Sequence, residues 1–121
     1  MELQKIACEF TVCKVDDLRQ VDFTRPFVFL SKTEDEISLV CESAYAPPAA
    51  IASEAGWRAL QVSGVLEFGM IGVIAKIANL LADAGVSIFV ISTYNTDYIL
   101  VKVEQFDRSV QILACNGYVI N

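Results

Sequence analysis

Two short stretches of the sequence combine glycines and carboxylates in a way that could hold a small zwitterion. The first is a glycine-containing loop that runs into a segment of helical periodicity, so the backbone N–H groups of Met70, Ile71 and Gly72 would lie at a helix N-terminus. Such N–H groups bind carboxylates. The second stretch is a polar turn at residues 95–97, which ends in Asp97. Asp97, or Glu67 in the first stretch, could accept charge-assisted hydrogen bonds from an ammonium group. The pattern suits a free amino acid, which carries both groups.

Structural roles for the same residues remain open. Gly72 could only permit close packing of a helix on a strand, and Asp97 could only shape a turn by bonding its own backbone. Glu67 could be a solvated loop acid, and Thr93 could simply be one position in the alternating inward–outward pattern of a half-buried strand.

Other chemistries lack their residues. The chain has no histidine, and it has no motif for a serine nucleophile, a dinucleotide or a phosphate loop. Its four cysteines are scattered without a Cys-x-x-Cys pair, which favours free thiols over a zinc site and places the protein in the cytoplasm. We therefore expect no catalytic residue, metal or cofactor. The remaining enzymatic alternative is a cofactor-free reaction that uses Glu67, Asp97 or Tyr94.

Composition excludes two classes of partner. A net charge of −6 over 121 residues argues against nucleic acid, which requires a basic face. The apolar runs are too short to span a membrane, and the N-terminus is not a secretory signal. The hydrophobic content of 55% is high, which favours a well-buried sheet or an apolar surface kept for a partner.

The second half of the chain predicts a βαββαβ order. Its helices are expected over residues 73–84 and 104–115, where apolar residues recur at helical spacing. Apolar and β-branched segments predict four strands, with Gly85 ending the first helix and a polar turn at residues 95–97. The predicted strands cover residues 57–66, 86–91, 98–103 and 118–120.

The first half predicts a shorter version of the same order. Strands are expected over residues 5–12, 27–32 and 37–42, with a short helix near 16–21 and a second helix over 49–55 that Gly56 ends. The fold class is therefore α+β: two tandem ferredoxin-like units with antiparallel sheets and helices on one face, the first unit abbreviated. Their predicted bounds are 1–56 and 57–121.

Three parts of the sequence resemble the ACT domain, a regulatory module of amino-acid metabolism. A strand at 59–62, the loop Phe68 to Gly72 and the segment Ala84 to Ile88 follow its usual pattern. The run Ile91 to Val101 is similar to small bacterial tandem ACT proteins and to the cytosolic arginine sensor of the TOR pathway. Aspartate kinase regulatory regions are similar as well. The loop lacks the common Asp-Arg-Pro-Gly sequence of the family.

The resemblance implies a non-catalytic protein that binds an amino acid or a related metabolite between two ACT units. It also implies a homodimer and an unidentified regulated protein. The alternative is an oligomerisation module without a ligand. The site residues that the resemblance implies are Glu67, Phe68, Gly69, Met70, Ile71, Gly72, Thr93, Asn95 and Asp97.

Overall fold

The computed structural model describes residues 1–64 and 69–121, so the predicted site residues Glu67 and Phe68 lie outside the described residues. Within these ranges no helix is long and apolar enough to cross a membrane. The strands are β1 (Glu2–Lys5), β2 (Phe10–Val15), β3 (Val28–Lys32), β4 (Ile37–Glu42), β5 (Ala52–Val62), β6 (Phe89–Ser92), β7 (Asp97–Lys102) and β8 (Val119–Ile120). The helices are α1 (Val73–Asp83) and α2 (Val103–Cys115), with 3-10 turns at Leu18–Gln20 and Ser43–Tyr45.

The chain divides into two compact units. The small unit is Cys8–Trp57, and the helical unit combines Met1–Ala7 with Arg58–Asn121. The structure thus places the first seven residues with the second half of the chain. The predicted division into ACT-like units at 1–56 and 57–121 stays a prediction.

The helical unit is built around β1, which lies between two partners. Leu3 is paired with Val62 of antiparallel β5 and with Ile120 of parallel β8. β7 pairs with both β5 and β6. The two helices contact each other, and their apolar residues enter one core with the strands. Because both helices share that core, they cover one sheet face, and the predicted α+β class is confirmed. The buried core residues are Leu3, Leu60, Val62, Ile77, Leu81, Val86, Ile99, Val101, Phe106, Leu113 and Tyr118.

The small unit contains β2, β3 and β4 and the first part of β5. β4 lies between β3 and β2, and β2 pairs antiparallel with β5. Its apolar core forms from alternate strand residues and residues of the connecting loops. The buried members of that core are Cys13, Val15, Val21, Leu39 and Cys41.

The prediction of one strand over residues 5–12 is wrong, because β1 and β2 are separate strands. Between them, the carbonyl oxygen of Ile6 accepts hydrogen bonds from Nε and Nη2 of Arg58 at 3.2 and 3.0 Å. This carbonyl is thus satisfied by a side chain.

The predicted helix over residues 49–55 is also wrong. Residues 52–55 begin β5, where Ala52 pairs with Lys14 and Glu54 pairs with Val12. Alanine favours a helix by only a few tenths of a kcal/mol per residue over most other residues. The backbone hydrogen bonds and side-chain packing gained along β2 outweigh that preference.

The hairpins β3–β4 and β6–β7 match each other position by position. Leu30 is paired with Leu39 in the first, and Val90 is paired with Ile99 in the second. Both turns are closed by the amide of a threonine, since Thr33 N donates to Glu36 O at 2.9 Å and Thr93 N donates to Thr96 O at 2.8 Å. β4 and β7 also have the same pattern of buried and half-buried positions along the strand. Corresponding positions in the two turns can therefore be compared directly.

The buried thiol of Cys41 gives a pH-dependent contribution to stability. Burial, and secondarily the neighbouring Cys13, raise the pKa of Cys41 from 9.0 to about 11. The folded state therefore holds this proton more tightly than the unfolded state, so its contribution is complete below pH 9 and is lost as the pH approaches 11. We expect a fall of at most about 2 kcal/mol in the free energy of unfolding.

Urea denaturation at several pH values measures this fall. The variant Cys41→Val should show a smaller fall than the wild type, whereas Cys115→Ala, which removes an exposed thiol, should not. Equal pH dependence in wild type and Cys41→Val would contradict the assignment.

Candidate functional site

A cleft in the helical unit lies between the start of α1 and the β6–β7 turn. Its volume is about 370 Å³. One wall is the loop and first turn of α1, and the other is the hairpin turn. The lining residues are Met70, Gly72, Val73, Ile74, Ala75, Ser92, Thr93, Tyr94, Asn95, Thr96 and Asp97.

The α1 wall contains the N-terminus of the helix, which no side chain among the described residues caps. Gly72 takes the N-cap position with φ +80°, a left-handed conformation that glycine adopts without steric cost. The amides of Val73, Ile74 and Ala75 have no partner within the helix because they belong to its first turn. They and the helix dipole make this wall favourable for an anion such as a carboxylate.

The turn of the hairpin wall is hydrogen-bonded through side chains as well as backbone. The Thr93 hydroxyl donates to Thr96 O at 3.0 Å, in addition to the Thr93 amide at 2.8 Å. The Thr96 hydroxyl donates to Val62 O at 2.7 Å. Asp97 begins β7 directly after this turn and is half-buried. The hairpin thus presents a carboxylate from a fixed position.

The structure brings five of the predicted site residues to this cleft: Met70, Gly72, Thr93, Asn95 and Asp97. Their role in binding a ligand remains a prediction. The Thr93 hydroxyl is used in the turn, which is the structural role that the sequence left open.

Ile71 and Gly69 are not among the residues that line this cleft. Ile71 is 96% exposed. It lines a neighbouring cleft of about 300 Å³ together with Lys76 and Tyr118. Met70, Gly72 and Val73 line both clefts, so the start of α1 separates them.

Sequence reasoning missed two parts of the site. It predicted that the amides of residues 70–72 bind a carboxylate, which stays a prediction, and it did not include the first-turn amides of Val73, Ile74 and Ala75, which have no partner within the helix. It also missed Thr96.

The charges of the cleft favour a zwitterion or a cation over an acidic ligand. Asp97 is the charged side chain among the lining residues that the structure describes. The positive end of the α1 dipole lies on the opposite wall. Such a pair matches one carboxylate and one ammonium group, and it leaves a second carboxylate without a cationic side chain to meet it.

Comparison with known families and structures adds a family match. The sequence model of the family described as "ACT domain" matches residues 52–115, which is more than half of the chain. That range includes β5, both helices and the whole described cleft. No curated protein matches the sequence.

Several solved structures share the fold. A protein from Agrobacterium tumefaciens superposes with a TM-score of 0.87 at 23% identity, over 99% of this chain and 91% of its own. A protein of unknown function from Vibrio cholerae gives 0.77 at 23% identity, over 92% and 85%. An aspartate kinase from Clostridium acetobutylicum gives 0.61 at 17% identity, over 90% of this chain and 32% of the kinase. At these identities the likeness shows the fold alone.

Proposed function

Because the chain belongs to the ACT domain family, we propose that it is a non-catalytic regulatory protein that binds a small amino acid or a related metabolite. The observation that carries the proposal is the cleft, which places an uncapped helix N-terminus opposite the carboxylate of Asp97. The Clostridium aspartate kinase, about a third of which shares this fold, is described as an allosteric enzyme. A regulatory role for the fold in this chain agrees with that description.

In this proposal the two walls bind the two charged ends of the ligand. The ligand carboxylate accepts hydrogen bonds from the first amides of α1, and its ammonium group donates to Asp97. The ligand side chain lies along Ile74, Met70 and Asn95. An acidic side chain is disfavoured by the charge of Asp97, so cationic amino acids such as lysine and arginine are the first candidates.

We further propose that a second copy of the chain completes the site at an interface between ACT units. Ile71 is 96% exposed and Met70 is 46% exposed, both beside the cleft. Apolar side chains exposed at a ligand site favour a protein partner. Ligand binding at such an interface would shift the equilibrium between monomer and dimer, or between two dimer arrangements, and a regulated protein would respond. We also propose a cytoplasmic location, which the cysteines predicted, and a tandem organisation of two ACT units.

A thermal-shift screen against the twenty amino acids tests the function, with calorimetry to follow each positive result. A ligand at 100 times its dissociation constant should add about 2.7 kcal/mol to the free energy of unfolding. We expect one site per chain, since Ile37 stands in the small unit at the position of Asp97. The absence of any shift at millimolar concentrations would contradict the proposal and leave the oligomerisation module.

A further inference from the structure

The hydroxyl of Thr96 makes a buried hydrogen bond that crosses from the hairpin turn to another strand. Thr96 is 4% exposed, and its Oγ1 donates to the carbonyl oxygen of Val62 at 2.7 Å. Val62 is the last residue of β5, the strand from which the chain continues towards α1. Asp97 follows Thr96 directly. The bond therefore attaches the hairpin wall of the cleft to β5, beside Asp97. β5 and α1 share one core, in which Val62 and Ile77 are both buried.

The turn itself does not require this hydroxyl. In the β3–β4 hairpin, Glu36 occupies the position of Thr96 and is exposed. Its carbonyl still accepts the Thr33 amide at 2.9 Å, just as that of Thr96 accepts the Thr93 amide. Backbone closure of the turn is thus the same with either residue. What Thr96 adds is the attachment of the turn to β5.

From this comparison we propose that Thr96 is a positioning residue, which holds the β6–β7 turn and the Asp97 carboxylate at a fixed place relative to the first turn of α1. The role in ligand binding rests on the proposed function. The attachment of the turn to β5 does not, and it can be measured without a ligand.

Hydrogen–deuterium exchange tests the attachment on the ligand-free protein. Thr96→Val keeps the shape of the side chain and removes the donor, whereas Thr96→Ser keeps the donor. We expect exchange in residues 92–97 to become about tenfold faster in Thr96→Val and to remain near wild type in Thr96→Ser. The β3–β4 turn, residues 32–37, is the internal control and should not change. Unchanged exchange of residues 92–97 in Thr96→Val overturns the proposal.

Calorimetric titration with L-lysine and L-arginine tests the effect on binding. We expect about tenfold weaker binding in Thr96→Val and near wild-type binding in Thr96→Ser. In an Asp97→Asn background, Thr96→Val should cause little further loss, because its effect acts through Asp97. An additive loss, or full affinity in Thr96→Val, overturns the positioning role. If the wild type binds neither amino acid, the cationic-ligand proposal fails while the exchange result still decides the attachment.

Discussion

Replacing Leu81 with alanine should lower the free energy of unfolding of the helical unit by about 3 kcal/mol. Leu81 is completely buried in the core that α1 shares with the strands. Truncation removes its contacts and leaves a cavity that the neighbouring side chains fill only in part. Urea denaturation followed by far-ultraviolet circular dichroism measures the change, since α1 and α2 give most of that signal.

Leu80→Ala is the matched control for this experiment. Leu80 is adjacent on the same helix and undergoes the same chemical change, but it is only partly buried. The loss of stability should be about 1 kcal/mol, because less apolar surface returns to water. Equal losses in the two variants would show that the helix does not present its Leu81 face to the core.

The same periodicity that buries Leu81 made the helical unit predictable from the sequence. Apolar residues of α1 recur at helical spacing, and Gly85 stands just beyond its end. The predicted helix over 73–84 is observed over Val73–Asp83, and that over 104–115 is observed over Val103–Cys115. Long periodic segments are determined by their own pattern, so distant partners change them little.

Segments whose structure depends on a distant partner were the ones predicted wrongly. Residues 52–55 carry a helix-favouring composition, and they form a strand because β2 lies beside them. β1 is too short to show a period, and its pairing with both β5 and β8 is set by residues that are distant along the chain. Local propensity is weaker than such pairing.

The candidate site shows the same division between local and distant determinants. Gly72 and Asp97 could be selected from the sequence because a glycine before a helix and an acid in a polar turn have local signatures. The hydrogen bond from Thr96 to Val62 could not, since a threonine in a polar turn carries no local sign of a bond to a strand 34 residues away. Only the folded hairpin shows that this hydroxyl is buried and bonded.

Asp97→Asn should weaken amino-acid binding by about 10- to 100-fold. A charge-assisted hydrogen bond contributes about 1.5–3 kcal/mol, and asparagine keeps the size of the side chain while it removes the charge that attracts the ammonium group. Among the described residues the Asp97 carboxylate has no hydrogen bond or ion pair. The melting temperature of the ligand-free protein should therefore change little. Calorimetry gives the affinity, and thermal unfolding gives the stability.

Asp83→Asn is the control that separates a site effect from a general charge effect. Asp83 ends α1, is exposed and lies outside the residues that line the cleft. Both variants change the net charge from −6 to −5 by the loss of one carboxylate. If binding depends on the overall negative field of the protein, the two variants will lose affinity equally, and the effect will fall with added salt. A loss confined to Asp97→Asn places the ammonium group of the ligand at the β6–β7 turn, whereas retention of full affinity would remove Asp97 from the site.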